Sequence, residues 1–304
     1  MDSQRRVPFY QLVDGIKRSP FLKPSVARAA LNYRPRDGDI VLVTYPKSGT
    51  HWTQRIIQLI INRGEGTPSF SDFVRQTPVL ENHGAEALVG MPPPRTFRTH
   101  FQLLRYNFND KAKYVYVARN PWDTCVSLYH HIRGLPKFQF EDGTFDDFFE
   151  AFVTGDLGYG EYFDHVLHGY AHKDDPNVFF FTYEQLKADA PRMILKLASF
   201  LGEEYAKTLE GNEEKFKKLL KKISFGFMSR FLEPGTEEMS AVLESLTTPS
   251  AITKDDKKDD FRLFRKGEMY RWKEFFSLDQ IQRMQARINQ MTEGTDLMSL
   301  WNMG

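Results

Sequence analysis

The chain has 304 residues, 41% of them hydrophobic and 27% charged, which lets it bury a large core and excludes the disordered and fibrous classes. With 41 basic against 40 acidic residues the formal net charge is +1, so no overall field draws the protein onto nucleic acid or an anionic membrane, and any anion site must be local. Cys125 is the only cysteine, there is no Asn-x-Ser/Thr site, and no apolar run approaches the roughly 18 residues of a membrane span, so a cytoplasmic protein is expected.

Charges and prolines (Arg5, Arg6, Pro8, Lys17, Arg18, Pro20) interrupt the first segment, and a mobile N-terminal stretch to about residue 20 is expected. The short, β-branched burst Ile40-Val41-Leu42-Val43, introduced by Asp37-Gly38-Asp39, reads as a buried strand. From Trp52 the period changes to that of a helix, with Ile56, Ile57, Leu59, Ile60 and Ile61 on it and Gly64 beyond. The unit recurs: a strand at Tyr114-Val115-Tyr116-Val117-Ala118 leads into a helix through about Ile132, for which Asn120 is the cap and Pro121 the first residue. A third strand, Val178 to Phe181, precedes a helix started by Pro191 and ended by Gly202. Helices at Glu213 to about Ile223 and from Ser277, with Ser277 and Gln280 as a capping box, complete the pattern. Between them residues 233–260, with Pro234, Gly235, Pro249 and a mixed-charge run, read as a long loop or lid. Strands alternating with helices predict one α/β domain over 1–304, a central parallel sheet flanked by helices.

A loop leaving a parallel strand and entering a helix aims backbone N–H groups and the positive end of the helix dipole at an anion. In Tyr45-Pro46-Lys47-Ser48-Gly49-Thr50, Gly49 allows close approach, the Ser48 and Thr50 hydroxyls can donate to phosphate oxygens, and Lys47 brings a mobile charge. This is a phosphate loop of strand-loop-helix type but not a Walker A loop, which needs an earlier glycine and ends in Gly-Lys-Ser/Thr.

Three separated stretches resemble the cytosolic sulfotransferases: Tyr45 to Trp52 is similar to that family's 5′-phosphosulfate loop, Tyr114 to Pro121 with Ser127-Leu128-Tyr129-His130 to its 3′-phosphate segment, and Arg265-Lys266-Gly267 to its C-terminal signature. The resemblance runs from about residue 20 onward. It implies 3′-phosphoadenosine 5′-phosphosulfate (PAPS) as donor and PAP as product, without a metal, and transfer of the sulfuryl group to a hydroxyl or amine of a small acceptor such as a phenol, alcohol, steroid or biogenic amine. Lys47, Ser48, Gly49, Thr50, His51 and Trp52 would then hold the 5′ end. Arg119, Ser127, Arg265, Lys266 and Gly267 would hold the 3′-phosphate, and Trp52, Tyr183, Ser224, Phe225 and Met228 would surround the adenine, with Ile223 where the family carries Thr.

Sulfuryl transfer, like phosphoryl transfer, needs an aligned acceptor, a base and a cation on the leaving oxygen. The resemblance gives the base to His100 in Phe97-Arg98-Thr99-His100, with Arg98 in place of the family's Lys, and the cation to Lys47. Phe21, Val79, Asn82, Arg98, Phe138, Phe140 and Met239 are acceptor-pocket candidates, Val79 and Asn82 standing where phenol-preferring members carry Phe. The family's dimer motif is degenerate here, its places held by Lys273, Ser277, Leu278 and Gln282, which leaves a homodimer without the motif's terminal charge. His165, His168 and His172 are spaced to share a helix face, yet no Cys or His-Glu-x-x-His pattern accompanies them and no metal is expected. Two rival readings are a small-molecule kinase, which needs magnesium and a Walker loop, and a non-catalytic nucleotide binder, which needs no base.

Overall fold

A computed structural model describes residues 6–232 and 270–301. The loop or lid expected at 233–260, with Met239, and the Arg265-Lys266-Gly267 segment lie outside the described residues. An antiparallel hairpin, β1 (Gln11–Val13) with β2 (Ile16–Arg18), comes first. From Phe9 onward this N-terminal stretch is tied to the body: Phe9 N donates to the Phe138 carbonyl (2.6 Å), and Lys17 pairs with Asp156 (2.5 Å).

Four parallel strands, β3 (Ile40–Thr44), β4 (Thr96–Thr99), β5 (Lys113–Ala118) and β6 (Val178–Thr182), form the sheet in the order β4-β3-β5-β6. Every residue of β3 is buried, as a parallel strand covered on both faces requires. Helix α1 (Pro24–Leu31) precedes the sheet, and α2 (Thr50–Ile61), α3 (Phe70–Gln76) and α4 (Leu80–His83) link β3 to β4. Between β5 and β6 run α5 (Pro121–Arg133), α6 (Phe145–Val153) and α7 (Tyr162–Tyr170). Then come α8 (Tyr183–Ala188), α9 (Ala190–Leu201), α10 (Glu203–Glu210), α11 (Glu213–Lys222) and α12 (Phe225–Leu232), with α13 (Leu278–Met291) near the C-terminus.

Strand alternation sorts the apolar residues into two cores. Val41, Val43, Tyr114 and Tyr116 face one side with α5, α6, α7 and α13, whereas Ile40, Leu42, Val115 and Val117 face the other with α2 and α9 to α12. Each wholly buried Ile or Leu on α2 contributes about 2 kcal/mol of apolar burial, and the helix supplies Ile56, Ile57, Leu59 and Ile60. The expected caps are present. The Asn120 side chain accepts from Asp123 N ahead of Pro121, Ser277 and Gln280 cap reciprocally, and Gly202 ends α9, which starts at Ala190 behind an Asp189 cap.

The chain leaves β3 toward β4 on one side of the sheet and leaves β5 toward β6 on the other. The C-terminal ends of these two adjacent strands therefore open a crevice, the place where open α/β sheets bind ligands.

Candidate active site

The phosphate loop lies at that crevice. Tyr45 is wholly buried and its hydroxyl donates to the Gly160 carbonyl (3.1 Å), which fixes the start of the loop. Lys47 (φ 71°) and Gly49 (φ 98°) both take left-handed conformations on either side of Ser48, and Gly49 is the residue before α2. A Cβ at Gly49 would lie 2.8 Å from Cδ2 of Tyr183, so only glycine fits this close approach. The Ser48 hydroxyl is buried with no hydrogen-bond partner among the described residues, and Thr50 Oγ1 is 2.7 Å from Thr44 Oγ1. An unsatisfied hydroxyl beside a helix N-terminus, over a cradle that a methyl group would fill, fits a phosphate or phosphosulfate group.

Some of the residues expected to hold a second anion are described. Arg119 at the end of β5 donates from Nη1 to the Lys47 carbonyl (3.0 Å) and lays its guanidinium over the Tyr183 ring (4.7 Å), while its buried Nε has no partner among the described residues. Ser127 stands two turns into α5, half-buried. A network under the start of α5 holds this corner. Asn120 Nδ2 donates to Glu184 (2.7 Å) and Asp123 (2.9 Å), Asp123 also accepts from the backbone of Tyr270 (2.8 Å) and Trp272 (3.3 Å), and Glu184 accepts from the Trp301 indole (2.9 Å). The chain is thus anchored to Asp123 at Tyr270, three residues beyond Gly267.

Two of the predicted adenine contacts, Trp52 and Tyr183, come together. Trp52 packs edge-on against Tyr183 (5.5 Å between centroids) and donates from Nε1 to the Ile223 carbonyl (3.0 Å), drawing in the Ser224–Phe225 segment. Phe225 is 38% exposed and Met228 wholly buried behind it.

His100 follows β4 and is clamped through its backbone as well as its ring. Its N–H donates to Glu81 (2.8 Å), and its carbonyl lies 3.1 Å from Nε2 of the buried His165, whose other nitrogen meets Tyr116 Oη at 2.7 Å. The His100 Nδ1 atom is 2.9 Å from the Thr44 carbonyl. A carbonyl only accepts, so the ring proton sits on Nδ1 and Nε2 keeps its lone pair. Burial pushes the His100 pKa below its usual value, against the pull of the Glu81 carboxylate. Burial likewise pushes His51 and His131 well down, with Lys47 and His100 adding to the effect on both and Arg98 adding to it on His51, so the loop is flanked by neutral imidazoles.

Of the acceptor-pocket candidates, Phe21 and Phe138 pack together (5.7 Å), Phe138 meets Tyr159 (6.5 Å), and Tyr159 meets His100 (6.4 Å), so an aromatic row leads to the His100 ring. Phe140 turns elsewhere, into the core against Tyr129 and Phe148. Val79 pairs with Arg98 beside α4, which carries Asn82 half-buried. His165, His168 and His172 do not share a face, because α7 ends at Tyr170. His165 is buried on Tyr116, His168 is half-buried beside Asp164, and His172 binds Asp175 (2.6 Å). Among the described residues no three His, Cys, Asp or Glu side chains are grouped to hold a metal, and no helix is long and apolar enough to cross a membrane.

The model of the sulfotransferase domain matches residues 37–296. The chain belongs to the sulfotransferase family. It is 31% identical to mouse Sulfotransferase 1B1, covering 90% of this chain and 91% of that one, and 31% identical to zebrafish (Danio rerio) Sulfotransferase 6B1, covering 95% and 90%. Among solved structures, mouse sulfotransferase SULT7A1 complexed with PAP is similar with a TM-score of 0.69 and 26% identity over 97% of this chain and 98% of that one. A retinol dehydratase in complex with androsterone and PAP shares the fold, with a TM-score of 0.73 at 24% identity over 88% of this chain and 87% of that one. The protein is therefore a sulfuryl-transferring enzyme with an α/β fold. Sequence reasoning had not singled out Thr44, Glu81, Asp123, Tyr159 or Glu184, nor given His165 its role. Glu81 lies between Val79 and Asn82, two of the acceptor-pocket candidates, and the others carry no spacing signal.

Proposed function

We propose that this sulfotransferase takes its sulfuryl group from PAPS and transfers it in line to a hydroxyl or amine of a small acceptor, with His100 as base and Lys47 on the leaving oxygen, in the cytoplasm. Bound PAPS supplies an activated sulfuryl group, which leaves PAP when it departs. The observation that carries the reading is the juxtaposition of a bare imidazole nitrogen with the phosphate loop, through Thr44, whose carbonyl accepts from His100 and whose hydroxyl meets Thr50. Ser48, Gly49 and Thr50, with His51 and Trp52, would hold the 5′ end, and Arg119, Ser127 and the Arg265-Lys266-Gly267 segment the 3′-phosphate. Trp52, Tyr183, Ser224, Phe225 and Met228 would enclose the adenine. The acceptor would lie along the Phe21–Phe138–Tyr159 row.

In the transfer, the bond from sulfur to the acceptor oxygen forms as the bond from sulfur to the phosphate oxygen breaks. His100 Nε2 takes the acceptor proton, and the Lys47 ammonium stabilises the charge left on the phosphate. Burial of His100 keeps the base unprotonated at neutral pH. The test is incubation with ³⁵S-labelled donor and a panel of phenols, alcohols, steroids and amines. His100→Ala should lower kcat/KM by about 10²- to 10⁴-fold with PAP affinity held within a few fold by calorimetry. Unchanged transfer would remove the base assignment.

A further inference from the structure

Helix α2 holds the segment that follows α11 at two points. Trp52 and Arg55 are three residues apart on α2, so they leave it from neighbouring points of one flank. The Trp52 indole donates to the Ile223 carbonyl (3.0 Å), and the Arg55 guanidinium lies over the Phe231 ring, 4.2 Å from its centroid. Between these two contacts lie Ser224, Phe225 and Met228, three of the residues read above as enclosing the adenine.

Arg55 is 2% exposed, yet it is matched differently from the other buried arginines. Arg95 pairs with Asp39 at 2.6 Å, whereas among the described residues no carboxylate reaches Arg55, and burial alone lowers its pKa to about 10, which leaves it a cation at pH 7. Its Nη1 donates to Gln58 Oε1 (2.7 Å) and to Thr67 Oγ1 (2.8 Å), while the buried Nε has no partner among the described residues. Those two bonds fix the plane of the guanidinium, and the ring of Phe231 takes its face. The chain after α2 makes room for it: a Cβ at Gly66 would lie 2.3 Å from Arg55 Nη2. Phe231 is in turn set edge-on against Phe70 (6.3 Å) and Phe73 (5.7 Å) of α3.

An uncompensated buried cation is costly, and an apolar side chain of the same length would fill this space without that cost. What the charge adds is attraction to a ring face in a place shielded from water, where it is strongest, together with a fixed direction. We propose that Arg55 is a positioning residue for the base of the nucleotide: its guanidinium, held flat by Gln58 and Thr67, seats α12 through Phe231 and so sets where Phe225 and Met228 stand relative to Trp52. This rests on the reading of those residues as the adenine enclosure.

The probe is PAP against ribose 3,5-bisphosphate, which keeps both phosphates and lacks the base, with affinities read by calorimetry. The wild type should prefer PAP by about fivefold to a hundredfold, the span of one stacked base. Arg55→Met, which keeps the length and removes the charge, should weaken PAP by about threefold to thirtyfold and leave the abasic compound unchanged. In turnover it should raise KM for PAPS with kcat held, the mark of a lost binding contact. Arg55→Lys, which keeps the charge without the planar fork, should recover part of the loss. Phe231→Leu should reproduce the loss, and Arg55→Met combined with it should bind PAP no more weakly than the weaker single variant. Gly66 is not in a left-handed conformation, so Gly66→Ala displaces the guanidinium without backbone strain and carries the same comparison should Arg55→Met not fold. Equal losses for both compounds, or no loss for either, would reduce Arg55 to packing and overturn the proposal. Full additivity of the Arg55 and Phe231 effects would overturn the route through α12. A wild type that binds both compounds equally would remove the adenine reading itself, and the proposal with it, whereas a preference for PAP that survives in Arg55→Met spares that reading and removes the proposal alone.

Discussion

At the scale of single residues, the proposed chemistry rests on which nitrogen of His100 holds a proton. The Thr44 carbonyl takes Nδ1–H, and the backbone clamps from Glu81 and His165 stop the ring from turning to offer the other nitrogen. Because burial lowers the His100 pKa, the proposed base is lost only when pH falls below its folded value, which lies under the ordinary figure of about 6.5. The kcat/KM for the donor, which reports the free enzyme, should therefore stay level from pH 7.5 down past 6.5 and fall only beyond it. A descending limb centred above pH 6.5 would contradict this environment. Lys47, Gly49 and His100 could be nominated from the sequence because two short motifs, Tyr45 to Thr50 and Phe97 to His100, contain them. Thr44, Glu81 and His165 could not, since each meets His100 through a hydrogen bond with a backbone group on one side, across 56, 19 and 65 positions of chain that no local spacing encodes. Arg98 was visible as a substitution, but its donors, unsatisfied among the described residues, appear only once burial is known.

At the scale of elements, the strand-loop-helix that opens the site works because its glycine is under two constraints at once. Gly49 has φ 98° and leaves no room for a Cβ, which would meet Tyr183 at 2.8 Å; Gly294 has φ 76° with nothing within 4 Å. A substitution at either position carries backbone strain of roughly 1–2 kcal/mol, but only at Gly49 must a neighbouring ring, Tyr183, also give way. Gly49→Ala should weaken PAP binding by at least about tenfold, equivalent to about 1.4 kcal/mol, while Gly294→Ala lowers the melting temperature slightly and leaves PAP affinity alone. Equal affinities for both variants in calorimetry would show that the loop tolerates the displacement. Strands β3, β5 and β6 were readable as apolar bursts. The edge strand β4 escaped, because Thr96-Phe97-Arg98-Thr99 is short and mostly polar and is a strand only by pairing with β3.

Across the whole molecule, two cores share one sheet, and buried histidines tie pH to the stability of both the fold and the site. His165 is wholly buried against Tyr116 and Tyr45, and burial lowers its pKa to about 3. The unfolded chain takes up this proton from about pH 6.5 downward and the folded one only near pH 3. Stability is therefore full above pH 6.5 and declines as pH falls through that window, by at most about 1.4 kcal/mol per pH unit from this group. Melting temperatures of His165→Gln should fall less steeply than those of the wild type between pH 6.5 and 4, and parallel slopes would refute the linkage. The layered architecture was legible from the alternation of strands and helices, whereas the meeting of residues 120, 123, 184, 270, 272 and 301 under α5 was not, because it depends on closure of the fold. Cys125 completes the picture at this scale. The chain's only thiol is wholly buried in the core beneath that corner, and burial pushes its pKa well up, so it is closed to alkylating reagents. A cysteine introduced at an exposed position such as Leu278, 80% accessible, would then be the single attachment point for a dye or spin label, with no native thiol to remove first.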